Sequence, residues 1–570
     1  MERKGADILW DTLVHAGIEV VFGYPGGAIL PAYDALLDFP IRHVLCRHEQ
    51  GAGHMADGYA RASGKVGVAI ATSGPGATNL VTAIATAMLD SSPVLFITGQ
   101  VNSGLIGRDA FQEVDMTGIT LPITKHNYLV TTADEIGPTL EEALYVVKSG
   151  RPGPVLVDIT KDALQKLATF EPGTRPVRLP GYRPDLRALP AEFAQAVAMI
   201  DTAKRPVVLA GQGILQSGST GELIEFLEKA QIPVALTLLA LGAVPASHPL
   251  NLGMMGMHGE AWVNKAIQEA DLIVAVGMRF DDRVTGNLAV YARGARKIHI
   301  EIDPSEINKN VQVDVGIVGD AYETLHRLLK HVAPQRRDAW LARIEEMKGD
   351  SAVRDIQTLP DNGRLWAAHV INDIWNATEG KALVVTDVGQ HQMWVAQYYH
   401  QETPHHFITS AGLGTMGFGI PAAIGAKMAR PDADVWVFVG DGGFQMTCAE
   451  LTTCAQEGIK INVAIINNGY LGMVRQWQEF FYNKRYAATP LLSPDFVKLA
   501  DAHGLAAWRV DKRAEVRAAV ERARQEPGSV VIDFRVEQED SVYPMVAAGA
   551  GLDDMIRRPS PIVETSQSDW

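Results

Sequence analysis

The chain has 570 residues, enough for roughly three or four domains, and 47% of them are hydrophobic, an ordinary fraction for packed cores. Its 51 basic and 66 acidic residues give a net charge of −15 without any dense Lys/Arg block, which argues against a nucleic-acid or anionic-membrane partner. Three cysteines, Cys46, Cys448 and Cys454, supply neither a disulfide framework nor paired CxxC zinc spacing, and no apolar run reaches the ~20 residues of a membrane span. Residues 1–20 show helical periodicity rather than a signal peptide. The expectation is a cytoplasmic protein.

In chain order, Ala6–Ala16 reads as an amphipathic helix, Glu19–Phe22 as a strand, Tyr24–Gly27 as a turn and Ile29–Leu37 as a helix. Strand-like runs follow at Val66–Thr72, Val94–Thr98 and Val155–Ile159, separated by helical segments. Glu171–Arg187, rich in Pro, Arg and Gly, reads as a linker. A second set has strands at Val207–Ala210, Val234–Thr237, Leu272–Val276 and Ile298–Ile302, with helices at Tyr322–Val332 and Ala339–Lys348. Ser351–Gly363 is a second linker. The third set has strands at Ala382–Thr386, Val435–Val439, Ile461–Ile466 and Val530–Phe534. Strands alternating with helices predict three doubly wound parallel-sheet α/β domains. Their expected extents are 1–170, 190–345 and 365–550, followed by a C-terminal tail, 551–570. The first and third sets share a strand–Gly turn–helix texture, without visible sequence identity.

Chemistry is densest at Val435–Asn468. An apolar run ends in Gly440-Asp441-Gly442-Gly443, a helical segment follows, and a second apolar run ends in Asn467-Asn468. In open α/β sheets, ligands sit beyond the carboxyl ends of strands. Asp441 and Asn468 both belong there. A carboxylate and an amide oxygen suit Mg²⁺, which takes oxygen ligands and binds phosphates, and the glycines admit close backbone approach. A Gly-rich turn plus an Asn-Gly turn would give the same letters without function; the two together favour a Mg²⁺–diphosphate site.

Asp441-Gly442 followed at this distance by Asn467-Asn468 resembles the thiamine diphosphate (ThDP) signature of the pyruvate-oxidase-like superfamily. The resemblance implies Mg²⁺ held by Asp441, Asn468 and the main-chain carbonyl of Tyr470. Val388-Gly389-Gln390-His391 resembles the diphosphate-contacting loop, and Gly414-Thr415-Met416-Gly417 the loop whose Met bends the cofactor. Gly27, Pro75, Asn79, Gly442, Gly443, Gly472 and Met473 complete the implied ThDP contacts. Cys46 to His54 resembles the family's glutamate motif. Glu49 is there the carboxyl that hydrogen-bonds the cofactor's pyrimidine ring nitrogen; otherwise it is an ordinary solvated helix-start glutamate. His48 and His54 read as packing groups. The Gly/Pro loop Thr72–Asn79 is placed where a pyrimidine could be held, and Gln112, in Gly107–Glu113, is carried over as catalytic. In the family, the glutamate domain of one subunit and the GDG domain of another build one site, so a homodimer or dimer of dimers is implied.

Within that superfamily the middle set resembles the flavin-containing acetohydroxyacid synthase (acetolactate synthase) family. The segments are Arg279 to Gly286, Gly211-Gln212-Gly213, Met257-His258-Gly259-Glu260, Glu301-Ile302-Asp303-Pro304 and Gly319-Asp320. Each alone could be a common βα turn. Together they imply FAD contacts from Gly211, Gly213, Met257, His258, Gly259, Arg279, Asp281, Arg283, Glu301, Ile302 and Asp320, joined by Arg151. That FAD is structural, with no net redox chemistry. In Gly472 to Trp477, Trp477 is implied in selecting the second ketoacid and Arg279 in pairing with its carboxylate, for which a guanidinium suits. Lys161 and Phe111 are implied as site-lining. Ser541 to Met545 resembles the start of a C-terminal cover. The implied activity decarboxylates pyruvate and adds the two-carbon unit to a second pyruvate or to 2-ketobutyrate, in valine, leucine and isoleucine biosynthesis.

The resemblance runs from about Gly5 to Ile556. Gly443 stands where many members carry Ser, and Asn102 where plant and fungal members carry Pro. The His pair of pyruvate decarboxylases is missing around Arg108–Asp115, and His405-His406 lies before a strand, away from it. Glu49 argues against a glyoxylate carboligase, and Arg279 with Trp477 against a pyruvate oxidase. A silent scaffold subunit is disfavoured by the intact Asp441, Asn468 and Glu49. No GxGxxG with a trailing acid supports an NAD dehydrogenase. Family members often carry a regulatory small subunit, and no valine-sensing segment is visible in this chain.

Overall fold

The structure is a computed structural model and describes residues 2–174, 176–184, 190–352, 355–358 and 363–559. Its frame is three parallel sheets of six strands each. The first contains β1 (Val20–Gly23), β2 (Arg42–Leu45), β3 (Gly67–Ala71), β4 (Val94–Gln100), β5 (His126–Val130) and β6 (Val155–Thr160). The middle sheet contains β7 (Pro206–Ala210), β8 (Val234–Leu236), β9 (Asn251–Met254), β10 (Leu272–Val276), β11 (Arg296–Glu301) and β12 (Val315–Val318). The last contains β13 (Leu383–Thr386), β14 (Phe407–Thr409), β15 (Val435–Gly440), β16 (Asn462–Asn467), β17 (Ala506–Val510) and β18 (Val530–Arg535).

The first sheet runs β2-β1-β3-β4-β6-β5 and the last β14-β13-β15-β16-β18-β17, one and the same order counted within each sheet. The middle sheet runs β9-β8-β7-β10-β11-β12, the doubly wound order seen in dinucleotide-binding folds. Interior strands are buried on both faces, as in β3 and β10. They therefore read as continuous apolar runs. The sequence patterns find every interior strand. They miss every edge strand: β2, β5, β9, β12, β14 and β17.

Helices cover the sheets. The ones that matter for the site are α1 (Gly5–His15), α2 (Glu49–Ser63), α3 (Gln390–Tyr398), α4 (Gly419–Ala429), α5 (Asp441–Thr447) and α6 (Gly472–Phe481). Helices α2 and α4 join the first and last sheets at very short range. A Cβ at Gly58 would lie 2.0 Å from the Ala422 carbonyl oxygen, and one at Gly425 1.8 Å from that of Met55. Only glycine permits that crossing. Around it, Phe22, Ala69 and Phe96 of the first sheet share one core with Val385, Val437 and Val439 of the last. The opposite face of the last sheet, Val384, Trp436 and Phe438, belongs to a core that runs on to Val208, Val274 and Ile298 of the middle sheet.

Two expectations change. The expected linker Ser351–Gly363 begins inside a helix, Asp338–Ala352. Charge pairs such as Glu345–Lys348, 2.7 Å apart, extend the helix past its apolar pattern. The start of the expected tail is tied down: Met555–Ile556 pairs antiparallel with Met545–Val546. Residues 560–570 of the tail, and 175, 185–187, 353–354 and 359–362 of the two linkers, lie outside the described residues.

Candidate active site

The last sheet builds a crevice at the carboxyl ends of β13, β15 and β16. Asp441 opens α5 directly after β15 and accepts a hydrogen bond from Ser493 Oγ at 3.1 Å. Burial pushes its carboxyl up to about 6. Asn468, just past β16, accepts from the Tyr470 N–H at 3.1 Å and donates to Gln390 Oε1 at 3.1 Å. Among the described residues no group of three or more His, Cys, Asp and Glu side chains could hold a metal. A cation here would rest on one carboxylate with amide and main-chain oxygens, a donor set that suits Mg²⁺. His391 is buried, burial lowers its pKa to about 3, and its Nε2 has no hydrogen-bond partner among the described residues. A neutral ring with an orphaned nitrogen fits a phosphate-bearing ligand beside it. A Cβ at Gly472 would lie 2.1 Å from Gln390 Oε1, so that approach needs glycine. Val388, Gly389, Gln390, His391, Met416, Gly442, Gly443, Gly472 and Met473 line the crevice with Asp441, Asn468 and Tyr470.

At about 60 Å³ the crevice takes only one end of a cofactor, but it adjoins a cleft of about 1300 Å³ that shares Val388 and Met473. That cleft opens at the middle sheet's switch point. Gly211–Gly213 after β7 packs on Gly277 after β10: the Gly213 N–H donates to the Gly277 carbonyl at 2.9 Å, and a Cβ at Gly213 would lie 2.6 Å from Gly277 Cα. Ligands of open α/β sheets bind at such a switch point, and the cleft is large enough for a dinucleotide. Arg151, Gly211, Gly213, Met257, His258, Arg279, Asp281, Arg283, Glu301, Ile302 and Asp320 line it. Gly259 does not: its α-carbon is packed against Met255 and Gly256. Burial holds Glu301 up at about 7, opposed by the N–H groups of Ile302 and Asp303. Asp281 caps a short helix by accepting from Arg283 N and Val284 N. Arg279, 3.8 Å from Asp281, shares the wall with half-buried Trp477 on α6 and with Gly414.

The first sheet gathers a third group. Glu49 begins α2 and accepts from Asn79 Nδ2 at 2.9 Å. A Cβ at Gly76 would lie 3.2 Å from Glu49 Oε1, and one at Gly74 2.8 Å from Gln112 Cβ. Thr72 Oγ1 accepts from the Ala28 N–H at 3.3 Å, which brings Gly27 alongside. Gly27, Glu49, Pro75, Asn79 and Gln112 thus share one end of the sheet. No hydrogen bond among the described residues ties Lys161, which opens the helix after β6, to this group. Phe111 is 87% exposed. None of these residues lines the crevice or the cleft of their own chain.

Comparison with known proteins agrees with these three parts. The chain matches the thiamine pyrophosphate enzyme N-terminal TPP binding domain over residues 3–119, the central domain over 193–328 and the C-terminal TPP binding domain over 387–534. It is 48% identical to an acetolactate synthase of Mycobacterium bovis over 97% of this chain and 91% of that protein. The acetolactate synthase large subunit of Corynebacterium glutamicum is 48% identical over 97% and 90%. A probable acetolactate synthase large subunit of Methanocaldococcus jannaschii is 44% identical over 99% and 98%. The chain belongs to the acetolactate synthase family. It is a thiamine pyrophosphate enzyme of the α/β class, and among its described residues no helix is long and apolar enough to cross a membrane.

In this member of the acetolactate synthase family, several site-building residues carry no sequence motif. Asp387, fully buried, accepts from the N–H groups of Val388, Gly417 and Gly419, and so holds the Met416 loop against the crevice. Gln476 and the Asp540 carbonyl anchor Gln390 at 2.9 and 3.1 Å. The turn Leu89–Ser92 touches both neighbouring units. Arg279 Nη2 reaches the Leu89 carbonyl at 3.5 Å, Asp90 accepts from the N–H groups of Ala411 and Gly412, and the Ser91 carbonyl accepts from Gln216 at 2.7 Å. Asp90 is itself paired with Arg61, 2.9 Å away, which also binds Asp57. A signal was present in Thr386-Asp387-Val388-Gly389, where a carboxylate precedes a glycine loop at a strand end. The other residues meet partners far along the chain and left none.

Proposed function

We propose that this chain is the catalytic chain of an acetolactate synthase, which decarboxylates pyruvate and joins the two-carbon unit to a second pyruvate or to 2-ketobutyrate, a step of branched-chain amino-acid synthesis. The observation that carries this is the shared wall: the Asp441–Asn468 crevice and the dinucleotide-sized cleft meet at Val388 and Met473, with Arg279 and Trp477 facing the same space. Asp441, Asn468 and the Tyr470 carbonyl would hold Mg²⁺. His391, Gln390 and the glycines of the crevice would hold a diphosphate, and Met416 would support the ring system. When bound, thiamine diphosphate supplies the electron sink that decarboxylation needs. Glu49 holds and returns the proton at the pyrimidine ring nitrogen. Arg279 orients the acceptor carboxylate bidentately, and Trp477 shapes the acceptor's side-chain space. Gln112 and Lys161 of a second copy would line the same space. The cleft residues from Gly211 to Asp320, with Arg151, would hold FAD as a structural group.

Because Glu49 and its neighbours line neither cavity of their own chain, we assign them to the site of a second copy, giving a homodimer with two sites, or a dimer of such dimers. Exposed apolar side chains support that pairing. Leu105, Ile106, Phe111 and Leu121 flank the Gln112 loop, and Leu413, Met446, Val474 and Leu492 flank the crevice. The relatives called large subunits support a small regulatory partner. The proposed unit boundaries remain 1–170, 190–345 and 365–550, and the proposed location is the cytoplasm. The test is product analysis with pyruvate, thiamine diphosphate and Mg²⁺, with and without FAD and 2-ketobutyrate. Acetolactate and 2-aceto-2-hydroxybutyrate are expected; acetyl phosphate with peroxide, or no turnover, overturns the reading.

A further inference from the structure

One buried carboxylate lies outside every role assigned so far. Glu450 ends the turn Cys448–Glu450 that continues directly from α5, the helix Asp441 opens. Its side chain does not turn toward the crevice. It crosses to the first sheet's unit, where Oε1 accepts from the N–H groups of Arg47 at 3.0 Å and His48 at 3.1 Å, and Oε2 from Arg47 N at 3.1 Å. Thr453 Oγ1 donates to Oε2 at 2.7 Å. The carboxylate therefore sits at the start of α2, on the residues that immediately precede Glu49. A Cβ at Gly51 would lie 2.3 Å from Oε1, so the first turn of α2 is shaped around this carboxylate. Glu450 is 1% exposed. A buried charge held by several donors at a helix start is geometrically fixed, since each lost bond leaves an unsatisfied group.

We propose that Glu450 is a positioning residue for Glu49, and that it thereby ties the metal-binding helix of one active site to the proton-shuttling carboxyl of the other. This rests on the two-chain reading above. In a dimer built that way, Asp441 and Glu450 lie on one short segment, yet Asp441 serves the site completed by the partner's copy of Glu49. Glu450 fixes the Glu49 of its own chain, which serves the opposite site. Any shift of α5 on cofactor binding at one site is then delivered to the glutamate of the other through three main-chain hydrogen bonds.

The test uses full-length mixed dimers assembled from two differently tagged chains. A control pair establishes the two-chain reading. Glu49→Gln and Asp441→Ala on separate chains leave one intact site and roughly half the wild-type activity, whereas on the same chain they leave none. Glu450→Ala then replaces Glu49→Gln. The expected result is roughly half the activity when Glu450→Ala and Asp441→Ala are on separate chains, and a residue near zero when they share a chain. The opposite pattern, or equal activity in both, with the control pair behaving as stated, overturns the proposal alone. A failed control overturns it together with the two-chain reading. Homodimeric Glu450→Ala should also slow hydrogen exchange at the cofactor's reactive carbon by about 10–100-fold with unchanged Mg²⁺ affinity, the size of loss that a misplaced group brings. Glu450→Gln, which keeps an oxygen for Arg47 and His48, folds as the conservative variant and should restore most of that rate. If Glu450→Gln is as slow as Glu450→Ala, or if neither slows exchange, the positioning role is wrong.

Discussion

The outer sheets and the middle sheet solve the same problem differently. Both outer sheets place most of their chemistry after their first three strands, and add to it after the fourth, where Gln112 and Asn468 lie. In the first sheet these loops carry Gly27, Glu49 and Pro75–Asn79; in the last they carry Val388–His391, Gly414–Met416 and Asp441–Gly443. They are topological twins with unlike residues, one offering a carboxyl and a glycine-rich loop, the other the crevice proposed to take a metal and a diphosphate. The middle sheet uses its own switch point between β7 and β10 and finishes a whole cleft inside one chain, borrowing Arg151 and Trp477 from its neighbours. The contrast teaches that one cleft is complete in a single copy, while under the proposed pairing the twin half-sites are matched between copies.

The most damaging lesion is in the last sheet. Asp441→Ala removes the only carboxylate of the proposed metal site, so activity should fall more than about 100-fold. The rise in Tm on adding Mg²⁺ and thiamine diphosphate should vanish while FAD binding, read by flavin fluorescence, stays. Loss of both ligands would mean that the sheets do not act separately. The converse lesion is smaller. Gly213→Ala drives a Cβ toward Gly277 Cα and, as overpacking of about 1–3 kcal/mol, should weaken FAD binding roughly 10–100-fold. The Mg²⁺-dependent rise in Tm should survive. The smallest effect is a titration. Glu301 is held by burial at about 7, above its usual 4.5, so the folded chain keeps a proton that the unfolded chain has lost. Its contribution to stability is therefore greatest at low pH and declines as pH climbs from about 4.5 to about 7, then levels. Glu301→Gln should flatten that part of the Tm–pH curve, and an unchanged slope would place the titrating group elsewhere.

What the sequence disclosed follows from burial. Interior strands such as Leu272–Val276 are covered on both faces, so every residue is apolar and the run stands out. Most edge strands carry mixed patterns: Arg42–Leu45 buries only Val44 fully and Ala506–Val510 only its last residue, while Phe407–Thr409 is buried throughout but is just three residues long. Their letters therefore resemble loops. The cleft residues were legible because they follow interior strands, where glycine and charge break an apolar run. Asp387 left only a carboxylate before a glycine loop as its signal, and Glu450 left none. Each binds main-chain N–H groups, which any residue offers, and Glu450's partners lie some four hundred positions away. Periodicity is local and cannot name such a partner. Trp477 is half-buried on a helix, as an ordinary aromatic would be; the family resemblance singles it out, and it stands on the cleft wall.

The Leu89–Ser92 turn bears on how the molecule opens. The N–H groups of Ala411 and Gly412 belong to a loop, where amides ordinarily trade their hydrogens with solvent quickly. Here both are bonded to Asp90, whose side chain is wholly buried and locked to Arg61. These two amides exchange when their bonds to Asp90 break, and parting of the first and last sheets breaks both. In deuterated solvent they should keep time with the core of α2 and α4 rather than with neighbouring loops, and so act as a clock for separation of the twin sheets.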